Sequence, residues 1–346
     1  MPKTQNTAVM KWLYFFSFIV AFLILFGGFV RLTRSGLSIV EWNPVSGVMP
    51  PIGEKAWLTE FTKYQETPEY RLVNTGMTLE EYKYIFYIEW IHRLIARLAG
   101  LFFAIPVFYF FIRNHIPKRE RGIYVLIGLL FIGQAIMGWI MVASGLVDRP
   151  SVSHFRLTLH LLLALSLFAL TLWTATGHRY GFPDTGKQVA WSNVSRLTLL
   201  AIFILLIQIS YGGLTAGLKA GYVSSTWPLM LGKLVPPNLF NSVGQLINNP
   251  QTVVFIHRWF ALLGLITVPY IYFRARKKNY PKEILNGILG TLGVVTLQIT
   301  LGVLTVLTHV HIVIALIHQL TAVALFGLAI FILHRLRDRD RQISSG

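Results

Sequence analysis

No cysteine occurs among the 346 residues of this chain. Its absence excludes disulfides, cysteine-ligated zinc, iron–sulfur clusters, thiolate-ligated heme and covalently attached c-type heme. Charged residues are scarce as well, at 13% of the chain against 54% hydrophobic residues. Since soluble chains carry roughly a quarter charged residues, this deficit indicates a protein embedded in lipid.

Targeting features are also missing from the N-terminus. Residues 1–11 lack the Arg-rich amphipathic pattern of an organelle transit peptide, and no small-residue cleavage site follows the next apolar run. We therefore expect this first apolar run to remain as a helix, and we expect the protein to reside in a bacterial inner (cytoplasmic) membrane.

Long apolar runs, in contrast, are abundant. A helix needs about 20 mostly apolar residues to cross the hydrocarbon core of a bilayer. Eight segments qualify, at 12–30, 86–111, 123–143, 154–176, 197–217, 252–273, 284–307 and 312–334. The segments 31–85 and 218–251 are rich in Trp, Pro, Gly and Asn, and we expect them to be ordered loops. The predicted fold class is an all-α membrane protein with eight transmembrane helices.

The net charge is +17, and the positive residues are distributed unevenly between the two sides of the predicted topology. Of the 31 Lys and Arg residues, 18 lie on the side of the two termini, nine lie in the opposite loops and four lie inside spans. Because Lys and Arg concentrate in cytoplasmic loops, both termini are predicted to be cytoplasmic and both long loops to face outward. Contact with anionic lipid is a minor addition, and nucleic-acid binding is not expected.

The two halves of the chain resemble each other. The matching elements are Gly27-Gly28 and Gly212-Gly213, Trp42 and Trp227, His92-Arg93 and His257-Arg258, Gln134 and Gln298, Gly138 and Gly302, and His160 and His318. Both repeats begin on the same side of the membrane. We therefore predict two four-helix bundles, at 1–190 and 191–346, related by a pseudo-two-fold axis along the membrane normal.

Four histidines lie inside apolar spans, one on each even-numbered span: His92, His160, His257 and His318. A single intramembrane histidine is more often a packing residue than a ligand, but four at one depth in two repeat-related pairs favour coordination. Facing helices of a bundle can present two imidazoles to one heme iron. Without acidic partners at zinc-like spacing, heme is favoured over zinc or copper. We predict that His92 pairs with His160, and His257 with His318.

Four arginines near these histidines are candidates for binding heme propionates, because a guanidinium can hold a carboxylate with two hydrogen bonds. Arg93 and Arg258 directly follow their histidines, Arg97 lies one turn further in, and Arg156 lies one turn before His160. The alternative for Arg93 and Arg258 is that their side chains extend to the membrane interface.

Glu89 is the one acidic residue inside the predicted spans. A carboxylate there is costly unless it is paired or protonated. It precedes His92 by three residues, so the two share a helix face, and its repeat equivalent is Val254. This asymmetry predicts a substrate heme with an acid–base group in the first half and an electron-transfer heme in the second. The alternative is a structural carboxylate bonded to Arg93 or Arg97.

Together these motifs resemble the heme A synthase family. The resemblance rests on the run Arg31–Pro44, on Glu89-Trp-Ile-His-Arg93, on Ser153–Arg156 ahead of His160, on Phe255–Arg258 and on His318-Gln319. It covers all eight spans and both outer loops. The chain is similar to the cysteine-free, mitochondrial and proteobacterial branch of the family, and a mechanism that requires a cysteine pair is excluded.

The resemblance implies oxidation of the C8 methyl group of heme O to a formyl group by successive hydroxylations, giving heme A for terminal cytochrome oxidase. It implies that heme O binds near His92 and His160 with Glu89 essential beside it, and that His257 and His318 hold heme b as cofactor. A heme O synthase and cytochrome oxidase assembly proteins are the candidate partners, since a poorly soluble heme favours direct hand-over.

Two other functions fit part of the sequence. A two-heme cytochrome b that transfers electrons between quinol and a partner explains the four histidines. It does not explain the one-sided Glu89 or the long outer loops. A carrier for heme or another small molecule, built from parallel repeats, predicts a transport path and no redox-active heme.

Overall fold

The computed structural model of this chain describes residues 6–147, 150–182 and 190–345, and within these ranges it contains helices and loops but no β-strand. The fold class is therefore confirmed as all-α. The helices are α1 (Thr7–Leu32), α2 (Glu54–Gln65), α3 (Pro68–Leu72), α4 (Leu79–Ile112), α5 (Arg121–Ala143), α6 (His154–Tyr180), α7 (Asn193–Gly217), α8 (Gln245–Asn248), α9 (Pro250–Phe260), α10 (Leu263–Lys277), α11 (Lys282–Leu307) and α12 (Ile312–Ser345).

Eight segments of the described chain are long and apolar enough to cross a membrane, which confirms the predicted number of spans. Spans 1 to 5 are α1, α4, α5, α6 and α7. Span 6 consists of α9 and α10, and spans 7 and 8 are α11 and α12. The multi-pass character of the protein follows from these eight helices.

The start of span 2 lies well outside its apolar stretch, because a capping box allows α4 to begin at Leu79. Thr78 Oγ1 accepts a hydrogen bond from the Glu81 amide at 3.3 Å, and the Glu81 carboxylate accepts one from the Thr78 amide at 2.8 Å. These bonds satisfy amides that the first turn of a helix leaves without partners. Span 2 therefore continues into the loop that links it to span 1, which we call the first outer loop after its predicted side of the membrane.

Span 6 is divided into α9 and α10, whereas span 2, its repeat equivalent, is one helix. At the division the amides of Leu262, Gly264 and Leu265 each donate to the carbonyl three residues earlier. Shorter bonds of the 3₁₀ type thus replace the α-helical ones at the division, and Pro269, which has no amide proton, lies further along inside α10. His257 consequently lies on a short helix of its own.

The spans contact one another in the same pattern in both halves. Span 1 contacts span 2, 2 contacts 3, 3 contacts 4, and 4 returns to 1; spans 5 to 8 repeat this order. The halves meet where span 4 packs against spans 5 and 8, and where span 1 packs against span 8. Two bundles related by a pseudo-two-fold axis would make these contacts, and the division at 1–190 and 191–346 stays a prediction.

Two repeat-related glycines let the halves approach closely. A Cβ atom on Gly28 of span 1 would collide with the Gln319 amide of span 8, and one on Gly213 of span 5 would lie 2.9 Å from Thr158 Oγ1 of span 4. Gln319 also donates to the Ile24 carbonyl of span 1 at 2.7 Å. Since small residues permit close packing of membrane helices, these positions define the interface between the halves.

The first outer loop carries α2 and α3, which pack on the outer end of span 2. Their contact is an aromatic cluster in which Trp57, Tyr64, Tyr82 and Phe86 are buried. The rings of Tyr64 and Tyr82 stack with centroids 5.0 Å apart, and Tyr82 Oη donates to the Ser38 carbonyl at 3.2 Å. The cluster fixes the whole first loop against span 2.

Span 8 continues as a helix into the basic C-terminal region. Asp338 accepts from Arg335 at 3.1 Å and from Arg341 at 2.5 Å, one turn away on either side. Asp340 accepts from Ser195 Oγ at 2.7 Å, which links the end of span 8 to the start of span 5. Part of the positive charge of this region therefore pairs within the protein.

Candidate heme-binding site

The two histidines of the second half have the spacing expected of two ligands on one iron. His257 and His318 lie with their ring centroids 6.5 Å apart and their ring planes at 88°. A metal–imidazole nitrogen bond is about 2 Å long, so two rings that share a metal have centroids roughly 6 Å apart. The gap between these rings therefore matches one metal ion held by both.

Backbone carbonyls orient both of these rings. His257 Nδ1 lies 3.2 Å from the Gln208 carbonyl oxygen, and His318 Nδ1 lies 3.1 Å from the Gln298 carbonyl oxygen. A ring that donates its Nδ1–H to a carbonyl keeps Nε2 as its lone-pair nitrogen, which is the tautomer that binds a metal through Nε2. The Nδ1 contacts favour this tautomer at both rings, and the Gln298 amide nitrogen lies 3.3 Å from His318 Nε2.

Each of the four histidines packs against a glycine of another span. A Cβ atom would lie 3.1 to 3.4 Å from the ring at Gly27 beside His92, Gly138 beside His160, Gly212 beside His257 and Gly302 beside His318. Because interiors are closely packed, a side chain at these positions would displace the ring. Contact with a glycine therefore positions each of the four rings.

Buried polar atoms without a protein partner surround the rings: Gln134 Oε1, Gln208 Oε1, Gln298 Oε1 and His160 Nδ1. Buried polar groups are normally hydrogen-bonded, so these atoms lack a partner from the described protein. The fit to heme rests on the two imidazoles of the second half, which face each other across a gap of one metal ion.

The first half holds the corresponding pair of histidines. His92 stacks on Phe26 of span 1 with centroids 5.8 Å apart. His160 Nε2 lies 3.3 Å from the Gln134 amide nitrogen of span 3. The pairing of these two rings and their role as ligands stay predictions.

Glu89 is buried and its carboxylate is engaged at both oxygens. Oε2 accepts from the Ser38 amide at 2.9 Å, the Ser38 hydroxyl at 2.7 Å and the Ile39 amide at 3.0 Å. Oε1 accepts from Arg93 Nε at 3.1 Å and Nη2 at 2.5 Å. Glu89 therefore joins the first outer loop to span 2, and the predicted alternative of an ion pair with Arg93 is present.

Arg93 and Arg258 hold the two outer loops at equivalent positions. Their acceptors are the carbonyls of Ile39 and Glu41 for Arg93, and those of Ser224 and Thr226 for Arg258. In each loop these carbonyls lie three residues and one residue before the matching tryptophan, Trp42 or Trp227. Both guanidiniums are thus directed at the loops, and their binding to propionates stays a prediction.

Arg97 and Arg156 also donate to the backbone. Arg97 donates to two carbonyls of the first outer loop, each at 2.9 Å, and Arg156 Nη1 donates to the Ile140 carbonyl at 2.9 Å. Arg97 Nη1 and Arg258 Nε are buried without a protein partner. Each of these two arginines therefore keeps a donor available for an anionic group.

The sequence patterns do not identify three polar residues near the site: Ser38, Gln208 and Glu69. Gln208 lies in the apolar sequence of span 5. A comparison of the two repeats does not single it out, because the equivalent residue of the first half is Leu23. Ser38 and Glu69 lie in the first outer loop, where polar residues are ordinary. Only the folding of that loop onto span 2 reveals their position.

An apolar groove lies between spans 1 and 2. It measures about 500 Å³ and is lined by spans 1 and 2, with Phe22 and Leu98 among its walls. Phe22 stacks on Phe26 with centroids 5.9 Å apart, and Phe26 stacks on His92. Two phenylalanines therefore connect the groove to the His92 ring.

Comparison with known proteins shows the family to which the chain is similar. Residues 10–330 match the family COX15-CtaA, described as cytochrome oxidase assembly protein. A heme A synthase of Wolbachia sp. subsp. Brugia malayi (strain TRS) is 40% identical over 98% of this chain and 100% of its own length.

Two further heme A synthases are similar to this chain. That of Wolbachia pipientis wMel is 42% identical over 95% of this chain and 92% of its own length. That of Ehrlichia ruminantium (strain Gardel) is 40% identical over 95% of this chain and 93% of its own length. The resemblance found in the sequence motifs is thereby confirmed.

Proposed function

Because the chain belongs to the COX15-CtaA family of cytochrome oxidase assembly proteins, we propose that it acts as a heme A synthase. It oxidises the C8 methyl group of heme O to a formyl group by successive hydroxylations and is therefore an oxidoreductase. The observation that carries this proposal is likeness to heme A synthases over almost the full chain, combined with two intramembrane histidine pairs.

We assign the substrate heme O to the first half, at His92 and His160. Two features support this assignment. Glu89 lies on the same helix face as His92, and an apolar groove between spans 1 and 2 offers a surface for a lipid-soluble substrate in this half. The second half has Val254 in place of the carboxylate.

We assign heme b as cofactor to His257 and His318. The 6.5 Å centroid spacing and the carbonyls of Gln208 and Gln298 at the two Nδ1 atoms support this. A heme b held by these two histidines would supply electron transfer for the oxidation. Gln208 contributes further by donating to the His257 carbonyl at 2.9 Å, which joins span 5 to the ligand helix.

Glu89 is proposed as the acid–base group at the methyl carbon, where it accepts protons or orients a water. Its five hydrogen bonds from Ser38, Ile39 and Arg93 fix its position relative to His92. Fixed placement of a base relative to one reacting carbon is a large part of catalysis. The free donors of Arg97 and Arg258 support propionate binding in the two halves.

The proposed placement is a bacterial inner membrane with both termini in the cytoplasm and both long loops outside. The distribution of Lys and Arg supports this orientation. The matching contacts within spans 1 to 4 and within spans 5 to 8 support two bundles of one orientation. A heme O synthase and oxidase assembly proteins are proposed as partners, because the substrate and product are poorly soluble.

The test is mass analysis of hemes extracted from the purified protein after co-expression with a heme O synthase. The expected result is heme A or its hydroxylated precursor together with heme b. Heme b alone, in two equivalent low-spin centres, would contradict the proposal. It would favour an electron-transferring cytochrome b in which the Glu89–Arg93 ion pair only holds the first outer loop.

A further inference from the structure

Spans 2 and 3 are the most loosely packed pair of neighbouring spans in the first half, and span 3 is the least buried of the eight spans. They approach each other at Gly100 of span 2, where a Cβ atom would lie 3.0 Å from the Phe131 ring of span 3. His92 lies two helical turns further out on span 2, and His160 packs against Gly138 of span 3. Spans 2 and 3 therefore form a weakly packed wall of the first-half site.

A short piece of the first outer loop connects these two spans on the outer side of the wall. Arg97 of span 2 donates to the carbonyls of Asn43 and Pro44, each at 2.9 Å. Trp42 stacks on Trp139 of span 3 with ring centroids 5.3 Å apart. Residues 42–47, which we call the bridging segment, thus reach from span 2 to span 3.

The bridging segment lies at the depth of the apolar part of span 2, because Arg97 follows His92 by five residues within the predicted span 86–111. The loop around the segment has an apolar surface. Val45 and Met49 are 83% and 64% exposed, and the Trp42 side chain is 45% exposed. Exposed apolar groups of this kind mark a surface that contacts lipid or a partner. At this depth the neighbour is lipid, so the bridging segment separates the first-half site from the bilayer.

The second half keeps the corresponding loop tryptophan on span 6 alone. Trp227 stacks on Trp259 of span 6 with ring centroids 5.6 Å apart. The two partner tryptophans do not match in the repeat, since Trp139 corresponds to Val303 and Trp259 corresponds to Leu94. Spans 6 and 7 also pack more extensively, through α10 and α11, than spans 2 and 3 do. A stack between the loop tryptophan and the third span of the bundle is therefore specific to the half assigned to the substrate.

We propose that the first-half site opens to the bilayer between spans 2 and 3, and that the bridging segment is the gate through which heme O enters and heme A leaves. The stack of Trp42 on Trp139 holds the gate closed, and Arg97 keeps the segment on span 2 when the stack opens. This inference rests on the proposed function, because only a heme that is converted must be exchanged in each catalytic cycle. A heme that stays bound, as assigned to the second half, needs no such opening.

The first experiment locks the gate, which is practical because the chain has no cysteine of its own. The variant Trp42→Cys/Trp139→Cys is joined by a short bis-methanethiosulfonate reagent that a reductant releases. Uptake of added heme O is followed by absorbance in protein purified from cells without a heme O synthase. Cross-linking should slow uptake about tenfold or more, as closure of a lid does, and reduction should restore it. The matched pair Trp227→Cys/Trp259→Cys should take up heme O equally well before and after cross-linking.

The second experiment removes the stack by placing the residue of the second half in the first. In Trp139→Val both uptake and loss of heme O should become about two- to tenfold faster, the factor that corresponds to the stabilisation by one aromatic pair. Adding Leu94→Trp offers Trp42 a partner on span 2, as in the second half, and should leave exchange fast because the segment no longer reaches span 3. Val303→Ala is the control at the matching position of span 7 and should leave heme O exchange unchanged.

Two results would overturn the inference. One is unchanged uptake of heme O after cross-linking of the Trp42 and Trp139 positions, which is the outcome expected if heme O enters through the groove of spans 1 and 2. The other is unchanged exchange of heme O in Trp139→Val. Failure of the proposed function looks different, since the wild type itself would then give no formyl product. If the gate alone fails, the cross-linked protein takes up heme O and still forms that product.

Discussion

The two halves of this protein hold their histidines through the same kinds of contact but differ in the polar side chains around them. Each ring packs against a glycine, and each His-Arg motif binds two carbonyls at the same places in its outer loop. The first half adds Glu89 where the second has Val254. The second half adds Gln208 where the first has Leu23.

The differences have opposite chemical effects. Under the proposed function the Glu89 carboxylate would supply an acid–base group near His92, whereas the Gln208 amide only joins the helix of His257 to span 5. Proton chemistry suits a heme that is converted, and rigid ligation suits a heme that stays and transfers electrons. Under the proposed function, one repeated scaffold would thus provide two sites whose roles a few side chains separate.

The largest expected effect comes from removing a proposed ligand in one half at a time. His160→Ala should lower formyl product at least about 100-fold, beyond the loss of an outer-shell group, and should leave the heme b spectrum intact. His318→Ala should remove the heme b spectrum itself. Heme content and product are measured on the same preparation, with the exposed His311→Ala as control. Equal spectral losses in both variants would contradict the division of roles.

Removal of the carboxylate comes next. Glu89→Gln should lower turnover by about 10²–10⁴, the range for general acid–base catalysis, with both hemes still bound. It also leaves Arg93 without its ion-pair partner, and breaking a buried pair costs about 3–5 kcal/mol, so thermal stability is measured beside product. Val254→Ala, at the matching position, should lose stability without losing turnover per bound heme. Full turnover in Glu89→Gln would reduce the carboxylate to a structural role.

Exchange of the Gln208 side chain tests the difference between the halves from the second half. Gln208→Leu makes the second site resemble the first and should weaken heme b binding about tenfold, within the 10–100-fold range for outer-shell groups. Leu23→Gln places the amide beside His92 instead and should leave heme b binding unchanged. The measurement is heme b retention during dilution, followed by absorbance. Unaltered retention in Gln208→Leu would show that the backbone carbonyl alone orients His257.

The smallest effect concerns stability and the first outer loop. The pKa of Glu69 is raised from 4.5 to about 7 in the folded protein, so the folded state loses stability as pH rises from 4.5 to 7 and no further above it. Glu69→Gln should therefore melt a few degrees higher than the wild type above pH 7 and at the same temperature below pH 4.5. Melting curves at the two extremes test this sign. A lower melting temperature at both would mean that Glu69 stabilises the loop.

Much of this organisation can be predicted from residues alone. Hydropathy identifies all eight spans, because the length of an apolar helix is set by the bilayer. The repeat identifies the histidine pairs, since equivalent positions in two copies of one fold have equivalent surroundings. The extension of span 2 to Leu79 and the division of span 6 are missed, because capping and local hydrogen bonding determine both.

The partners of Glu89 could not be predicted in the same way. Arg93 is one helical turn away and is a predictable neighbour, but Ser38 and Ile39 lie about fifty residues earlier. Their amides reach the carboxylate only after the first loop folds back on span 2. Likewise Glu69 is an ordinary loop residue until α3 buries it beside Tyr64.

By itself, the sequence determined that this protein is a helical membrane protein built from a repeat, with histidine pairs that suit heme and a family motif set that indicates heme A synthesis. Hydropathy and periodicity act locally, so they can be read from the chain. Only the tertiary structure decided that Glu89 is anchored by the first outer loop and that Glu69 is brought within electrostatic reach of it. Those relations depend on distant segments meeting, which no local pattern encodes.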